Sequence, residues 1–298
     1  MKLGITSYAY RWALGGSHPF LPSEFKIEQP LSVFSLIEKV SNLGLEVLQI
    51  CENISLEMST EDYRRVGEFA QNRGITLELG AAGMDLSVLD RYVRIADMTG
   101  SRLLRVYPKE AEPIHSLVKR IRGYLPVLGD RGLTLAVENS SLCLYTSRQL
   151  AKMLNRIDDP LVGACVDVAN SLGLLERPLE TVKVLCPHVV SLHLKDFCVK
   201  RKSIGGFMAF GVPLGKGILD VNAVLNIIEK SGRDPNILLE QWMDRKANIE
   251  ETLKEEEEWL TESVIFLRSI IQRPKAGLLR TSALPHKLRE RGYSNHSP

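Results

Sequence analysis

Residues 190–197 read VSLHLKDF, and how they are read decides the fold. Leu192 and Leu194 fall on one face of an extended chain, with Ser191, His193 and Lys195 on the other, the two-residue period of a β-strand. A strand that only fills a core has no use for an imidazole and an ammonium at its end. A strand that ends at a functional surface does.

Seven further runs have the same character: KLGIT (2–6), LEVLQI (45–50), ITLELG (75–80), SRLLRVY (101–107), LTLAVEN (133–139), LVGACVD (161–167) and NILLEQW (236–242). With VVSLHLK (189–195) they make eight candidate strands. Between them lie stretches with apolar residues at helical spacing, such as SVFSLIEKVSNLG (32–44), TEDYRRVGEFAQNRG (60–74) and LDRYVRIADMTG (89–100). Gly44, Gly74, Gly100, Gly132 and Gly232 suit helix C-caps, and Ser59 or Thr60, Asp85 and Asp220 suit N-caps. Parallel strands need helical crossovers, and eight of them close into a ring, so the pattern predicts an α/β fold, a (β/α)8 TIM barrel. A doubly wound open sheet is the alternative, but no GxGxxG follows the first strand to support its dinucleotide-binding form. The barrel is expected over residues 1–272 as a single domain, with residues 273–298 as a basic C-terminal tail.

The bulk composition narrows the function classes. The chain has 298 residues with a formal net charge of +2, which gives no electrostatic case for nucleic acid or an acidic membrane. No apolar run is long enough to span a bilayer, and MKLGITSYAY reads as the first strand rather than a signal peptide. Cys51, Cys143, Cys165, Cys186 and Cys198 are odd in number and widely spaced, which fits core filling in a reducing cytoplasm better than a disulfide framework or a CxxC zinc site. A final helix is expected from Ile249 to Gln272, with its EEEEW run (255–259) on a solvated face. The basic tail is expected to pack on the barrel or on a partner subunit of a homo-oligomer, with a nucleic-acid arm the weaker reading.

In a barrel the C-terminal strand ends build the active site. The fifth run ends in Glu138 and Asn139, the sixth in Asp167, the seventh carries His193 and Lys195, and the eighth ends in Glu240, Gln241 and Trp242. Parity sets Glu138 on the face of Ala136, Asp167 on that of Cys165, and His193 on that of Ser191, while their larger apolar neighbours face the helices. One acid at a strand end is routinely a cap or a salt-bridge partner. Four potential metal ligands on four successive strands are not explained that way.

LAVEN with Glu138, VDVAN with Asp167 and Asn170, HLKD with His193, and LLEQW with Glu240 together resemble the xylose isomerase-like barrel superfamily of sugar isomerases and epimerases. The resemblance runs from the first strand to the last helix. It implies one divalent metal ion held by Glu138, Asp167, His193 and Glu240. The hard, oxygen-rich donor set favours Mn2+ or Mg2+, with Co2+ or Zn2+ as alternatives. It implies a metal-dependent isomerase or epimerase that removes a proton beside a carbonyl through an enediolate, with Glu138 and Glu240 as catalytic acid and base. Asn170 stands where many relatives have His. Asn170, Lys195, Arg105, Tyr107 and Trp242 are the expected contacts to a small sugar or keto-sugar. Gln49, Glu52 and Glu78 are further polar candidates, and Tyr8, Tyr10 and Trp12 a candidate apolar wall. A lyase or dehydratase would use the same ligands. The three-zinc endonuclease branch needs more histidines, and a non-catalytic barrel would have no use for the ligand set. Residues 197–217 are long for a βα connection and are expected to form a lid hinged at Gly205 and Gly206, with Lys200, Arg201 and Lys202 solvated.

Overall fold

The apolar runs form strands that hydrogen-bond in parallel. They are β1 (Leu3–Thr6), β2 (Val47–Ile50), β3 (Thr76–Ala82), β4 (Leu103–Tyr107), β5 (Thr134–Glu138), β6 (Val162–Asp167) and β7 (Val189–Leu194). An antiparallel pair follows, β8 (Asp196–Arg201) and β9 (Phe207–Val212), and then the last barrel strand, β10 (Asn236–Leu239). The computed structural model describes residues 1–15, 27, 29–54 and 56–272, so the expectations for residues 273–298 lie outside the described residues. The barrel closes in the order β1-β10-β7-β6-β5-β4-β3-β2, the (β/α)8 TIM barrel expected from the repeat.

Its helices are α1 (Val33–Asn42), α2 (Thr60–Gln71), α3 (Leu86–Thr99), α4 (Ile114–Arg131), α5 (Ser147–Ile157), α6 (Pro178–Leu185), α7 (Val221–Lys230) and α8 (Ile249–Ile271). Ser59 caps α2 by accepting from the Asp62 amide, and Asp220 caps α7 by accepting from Ala223. Asp85 stands at the N-cap of α3 without a side-chain capping bond. The five glycines expected after helices all have positive φ, from 54° to 74°. Strand residues facing the helices, among them Leu48, Leu79, Leu104, Leu135, Val166 and Leu192, are fully buried. Every residue of β6 is buried, as expected for a parallel strand covered on both faces.

Register fixes what meets inside the ring. Glu138 pairs with Cys165, Asp167 with His193, and His193 with Leu238. On the far side Gln49 pairs with Glu78, and Gly80 with Arg105. Because laterally paired residues point the same way, the interior carries an unusually polar set. Gly80 makes this possible at one point: a Cβ there would lie 3.1 Å from Arg105 Cζ, so the glycine clears the space the guanidinium fills.

Most of residues 197–217 belongs to the β8–β9 hairpin, which ends at Val212, with Gly205 and Gly206 in its turn at φ 94° and 80°. The glycines serve the positive-φ geometry of the turn. Lys200, Arg201 and Lys202 are exposed on it. Helix α8 follows the expected span, but the solvated reading of its acidic run fails at Glu256. That side chain is 2% exposed and accepts from the backbone amides of Trp12 (2.7 Å) and Ala13 (2.9 Å), tying the segment after β1 to the helix. Its neighbour Glu257 pairs with Lys39 at 2.6 Å, and Glu255 with Lys246 at 2.8 Å.

Candidate active site

At the C-terminal ends of β5, β6 and β7, donor atoms of Glu138, Asp167 and His193 lie within 4.8 Å of one another, a group able to hold a metal ion. All three residues are buried. Glu240, just past β10, is not one of this mutually close set, but its Oε2 lies 3.3 Å from His193 Nδ1. The same nitrogen is 3.7 Å from Glu138 Oε1 and 4.0 Å from Asp167 Oδ2. Three carboxylates therefore face one imidazole nitrogen.

The residues fit a divalent cation. Neither nitrogen of His193 makes a well-formed hydrogen bond, although the ring is wholly buried. An unsatisfied buried polar atom is costly, and a cation among these oxygens would satisfy Nδ1 and neutralise the carboxylates together. Carboxylate and imidazole donors suit Mn2+, Mg2+ or Zn2+.

Two buried cations belong to the protein itself. Lys195, at the end of β7, lies 2.8 Å from both Asp167 Oδ2 and Glu240 Oε1. It also donates to Asn170 Oδ1 at 3.3 Å and lies 4.7 Å from the centre of the Trp242 ring. Asn170 donates in turn to Glu138 Oε1 at 3.1 Å. Arg105 lies 3.3 Å from Glu138 Oε2 and 3.1 Å from Glu52 Oε2. Tyr107 donates to Glu52 Oε1 at 2.7 Å. Asn170, Lys195 and Trp242 thus border the ligand group, whereas Arg105 pairs with Glu52 and Glu138 and Tyr107 gives its proton to Glu52. Burial pushes the Glu240 carboxyl up, but Lys195 and His193 outweigh it and hold it well below the usual range. Glu138 is likewise raised by burial and lowered further by Arg105 and His193, to a net decrease. Burial prevails at Asp167, which stays raised despite Lys195.

Some site residues were given no role from sequence. Asn139 makes a two-bond clamp between strand ends, donating to Asp167 O at 2.7 Å and accepting from Asp167 N at 2.8 Å. Its amide copies the backbone pattern and so holds the ligand carboxylate's main chain. Thr6 donates to Glu240 at 3.5 Å, and its position at the end of β1 was the only signal for it. Among the strand-one aromatics, Tyr8 and Tyr10 donate to Glu52 and Glu257, and Trp12 donates to Met243 O.

A parallel eight-stranded barrel with its metal-capable cluster at the strand C-termini defines a class, and the family comparison agrees. Residues 37–269 match the xylose isomerase-like TIM barrel family, and the chain belongs to it. A 3-oxo-isoapionate decarboxylase from Pectobacterium atrosepticum is 29% identical over 272 residues, which are 90% of this chain and 95% of that protein. Among solved structures, a D-psicose 3-epimerase crystallised with D-fructose superposes with a TM-score of 0.67 at 14% identity, over 91% of this chain and 99% of that one. A xylose isomerase-like barrel protein from Mycobacterium smegmatis, in complex with magnesium, superposes with a TM-score of 0.62 at 13% identity, over 88% and 97%. At these identities the structural matches speak for the fold alone. Among the described residues no helix is long and apolar enough to cross a membrane.

Proposed function

We propose that this chain is a divalent-metal-dependent enzyme that generates and quenches an enediolate beside the carbonyl of a small polyhydroxylated keto compound. The observation that carries the reading is His193 Nδ1, buried without a hydrogen bond and faced by Glu138, Asp167 and Glu240 at 3.3–4.0 Å. A divalent ion bound there, Mn2+ or Mg2+ by the donor set, supplies a Lewis acid that neutralises oxyanion charge beside the carbonyl. The protein supplies the rest. Lys195 and Asn170 orient the carboxylates and border the substrate, and Trp242 walls it.

The finer reading is decarboxylation of a 3-oxo sugar acid. The similarity to a decarboxylase along nearly its whole length supports it. So does the pairing of both glutamates with buried cations, Glu138 with Arg105 and Glu240 with Lys195. A carboxylate matched to a cation is a weakened base for C–H removal. Loss of CO2 breaks a C–C bond, leaves its electron pair in the enediolate, and asks only that a proton taken from water be relayed to that carbon by Glu240 or Glu138. The second reading is isomerisation or epimerisation of a keto-sugar. It is favoured by the approach of those two glutamates from β5 and β10, strands separated by β6 and β7, as two-sided proton exchange requires.

Mn2+-loaded protein incubated in D2O with keto-sugars and 3-oxo sugar acids tests both. CO2 release with one deuteron gained supports the lyase. Deuterium beside the carbonyl with carbon count conserved supports the isomerase. Neither outcome with any substrate overturns the enzyme reading, and activity that survives both Glu138→Gln and Glu240→Gln overturns the assigned roles.

A further inference from the structure

The metal-capable cluster takes up the half of the barrel mouth formed by β5, β6, β7 and β10. The other half carries a second polar cluster centred on Glu52, just past β2. Glu52 Oε1 accepts from the Tyr8 hydroxyl at 3.1 Å and the Tyr107 hydroxyl at 2.7 Å, while Oε2 accepts from Arg105 at 3.1 Å. Arg105 joins this group to Glu138, so the two halves share one wall. The Glu52 side chain is 20% exposed and the two tyrosines are half-buried, whereas Arg105 is covered at 2%.

What this surface offers a ligand is chemically one-sided. A carboxylate only accepts hydrogen bonds, and a phenol that has given its single proton to Glu52 has only lone pairs left. The donor in the group, Arg105, is 2% exposed and held inside the barrel. One nitrogen is on Glu52, another on Glu138, and the third is packed against Gly80 inside the barrel. Arg11 lies over the Tyr8 ring, 5.5 Å from its centre, and adds its charge to the field of Glu256. The charges also close without an anion. Glu52, Glu138, Asp167 and Glu240 are met by Arg105, Lys195 and the two charges of the ion the site fits. Sugar hydroxyls can donate to such a surface. Phosphate oxygens cannot, and would meet the like charge of Glu52, while Arg105 is already paired to two carboxylates.

We propose that Glu52, Tyr8 and Tyr107 form a hydroxyl-recognising subsite that selects a non-phosphorylated polyol end of the keto substrate and excludes a phosphate there. This deepens the function proposed above and rests on it for the orientation of the carbonyl end.

The probes are D-fructose and D-fructose 6-phosphate, titrated by saturation-transfer NMR against the full chain loaded with Mg2+, with thermal melts verifying that each variant folds. The expected result is binding of the neutral ketose at least about tenfold tighter than of its phosphate, weakened about fivefold by Tyr107→Phe and about tenfold by Glu52→Gln, as for loss of one neutral or one charged hydrogen bond. Equal or tighter binding of the phosphate, unchanged affinity in both variants, or no binding of either sugar overturns the subsite. Its failure separates from that of the enzyme reading. Turnover whose KM ignores both variants removes the subsite alone, and variant-sensitive sugar binding without any turnover removes the enzyme reading alone.

Discussion

Asp196 opens β8 beside Lys195, and its replacement by Asn has a cost that follows from four distances. Oδ1 accepts from the amides of Phe197 at 2.8 Å and Leu219 at 3.0 Å, and Oδ2 accepts from Gly215 and Gly217, each at 2.9 Å. The side chain is 2% exposed, so water does not share the work. In Asp196→Asn one oxygen becomes an NH2 group, and whichever flip the amide takes, two buried N–H donors then face a donor. Each charge-assisted bond lost is worth about 1.5–3 kcal/mol, so the expected loss for the two is about 3–6 kcal/mol. That is a large share of a total stability of about 5–15 kcal/mol. The loss falls on the segment that returns from the hairpin to α7, and local opening there is the cheaper response. Urea unfolding followed by circular dichroism should show a lowered midpoint, and amide exchange should accelerate most at Gly215, Gly217 and Leu219. Asp196→Ala, which strips all four donors of their acceptor, should be at least as damaging. A midpoint for Asp196→Asn within about 0.5 kcal/mol of the parent, a difference typical of surface substitutions, with exchange unchanged at those amides, would refute the reasoning.

Burial pushes the Glu256 carboxyl from its ordinary 4.5 up to about 7, against the pull of the Trp12 and Ala13 amides. The native state therefore binds the extra proton across that interval, and the stability it brings is fully present below the unfolded value and lost as pH rises through about 7, by ~3 kcal/mol over the span. Denaturant titrations at several pH values should show this decline, and Glu256→Gln should abolish it. A Cβ on Gly211 would lie 2.1 Å from the carbonyl oxygen of Trp242, a backbone atom that cannot rotate away. Gly211→Ala should push β9 off Trp242 at a cost of about 1–3 kcal/mol, read as a lower melting temperature with red-shifted tryptophan emission. An unchanged melt and spectrum would show that the hairpin does not press on that residue.

The barrel was legible in sequence because its signals repeat. Each strand had a run such as LVGACVD, buried on both faces, and glycines marked the ends of several helices. The candidate site was legible for a related reason. Glu138, Asp167, His193 and Glu240 interrupt apolar patterns at the same end of four successive repeats, an irregularity that is itself regular. The hairpin carried a weaker signal because little of it is buried. Phe207 is 76% exposed and Met208 41%, so no alternation marks β9, and Gly205-Gly206 could be read as a hinge as readily as a turn. Glu256 was hidden differently. It lies on the helical stripe of Thr252, Leu260, Ser263, Val264 and Leu267, all buried, but the flanking acids of a four-residue run masked the period. Arg105 shows the limit of reading one strand at a time. Parity aims it inward, which is correct, but whether it meets substrate or protein is decided by Glu52, just past β2, a strand with which β4 makes no backbone pairing. A side chain's direction follows from its own strand, and its role follows from partners that only the closed ring brings within reach. The two glutamates that the proposed chemistry would use are therefore recognisable in sequence, while the cations beside them, Arg105 and Lys195, are assigned to them only by the fold.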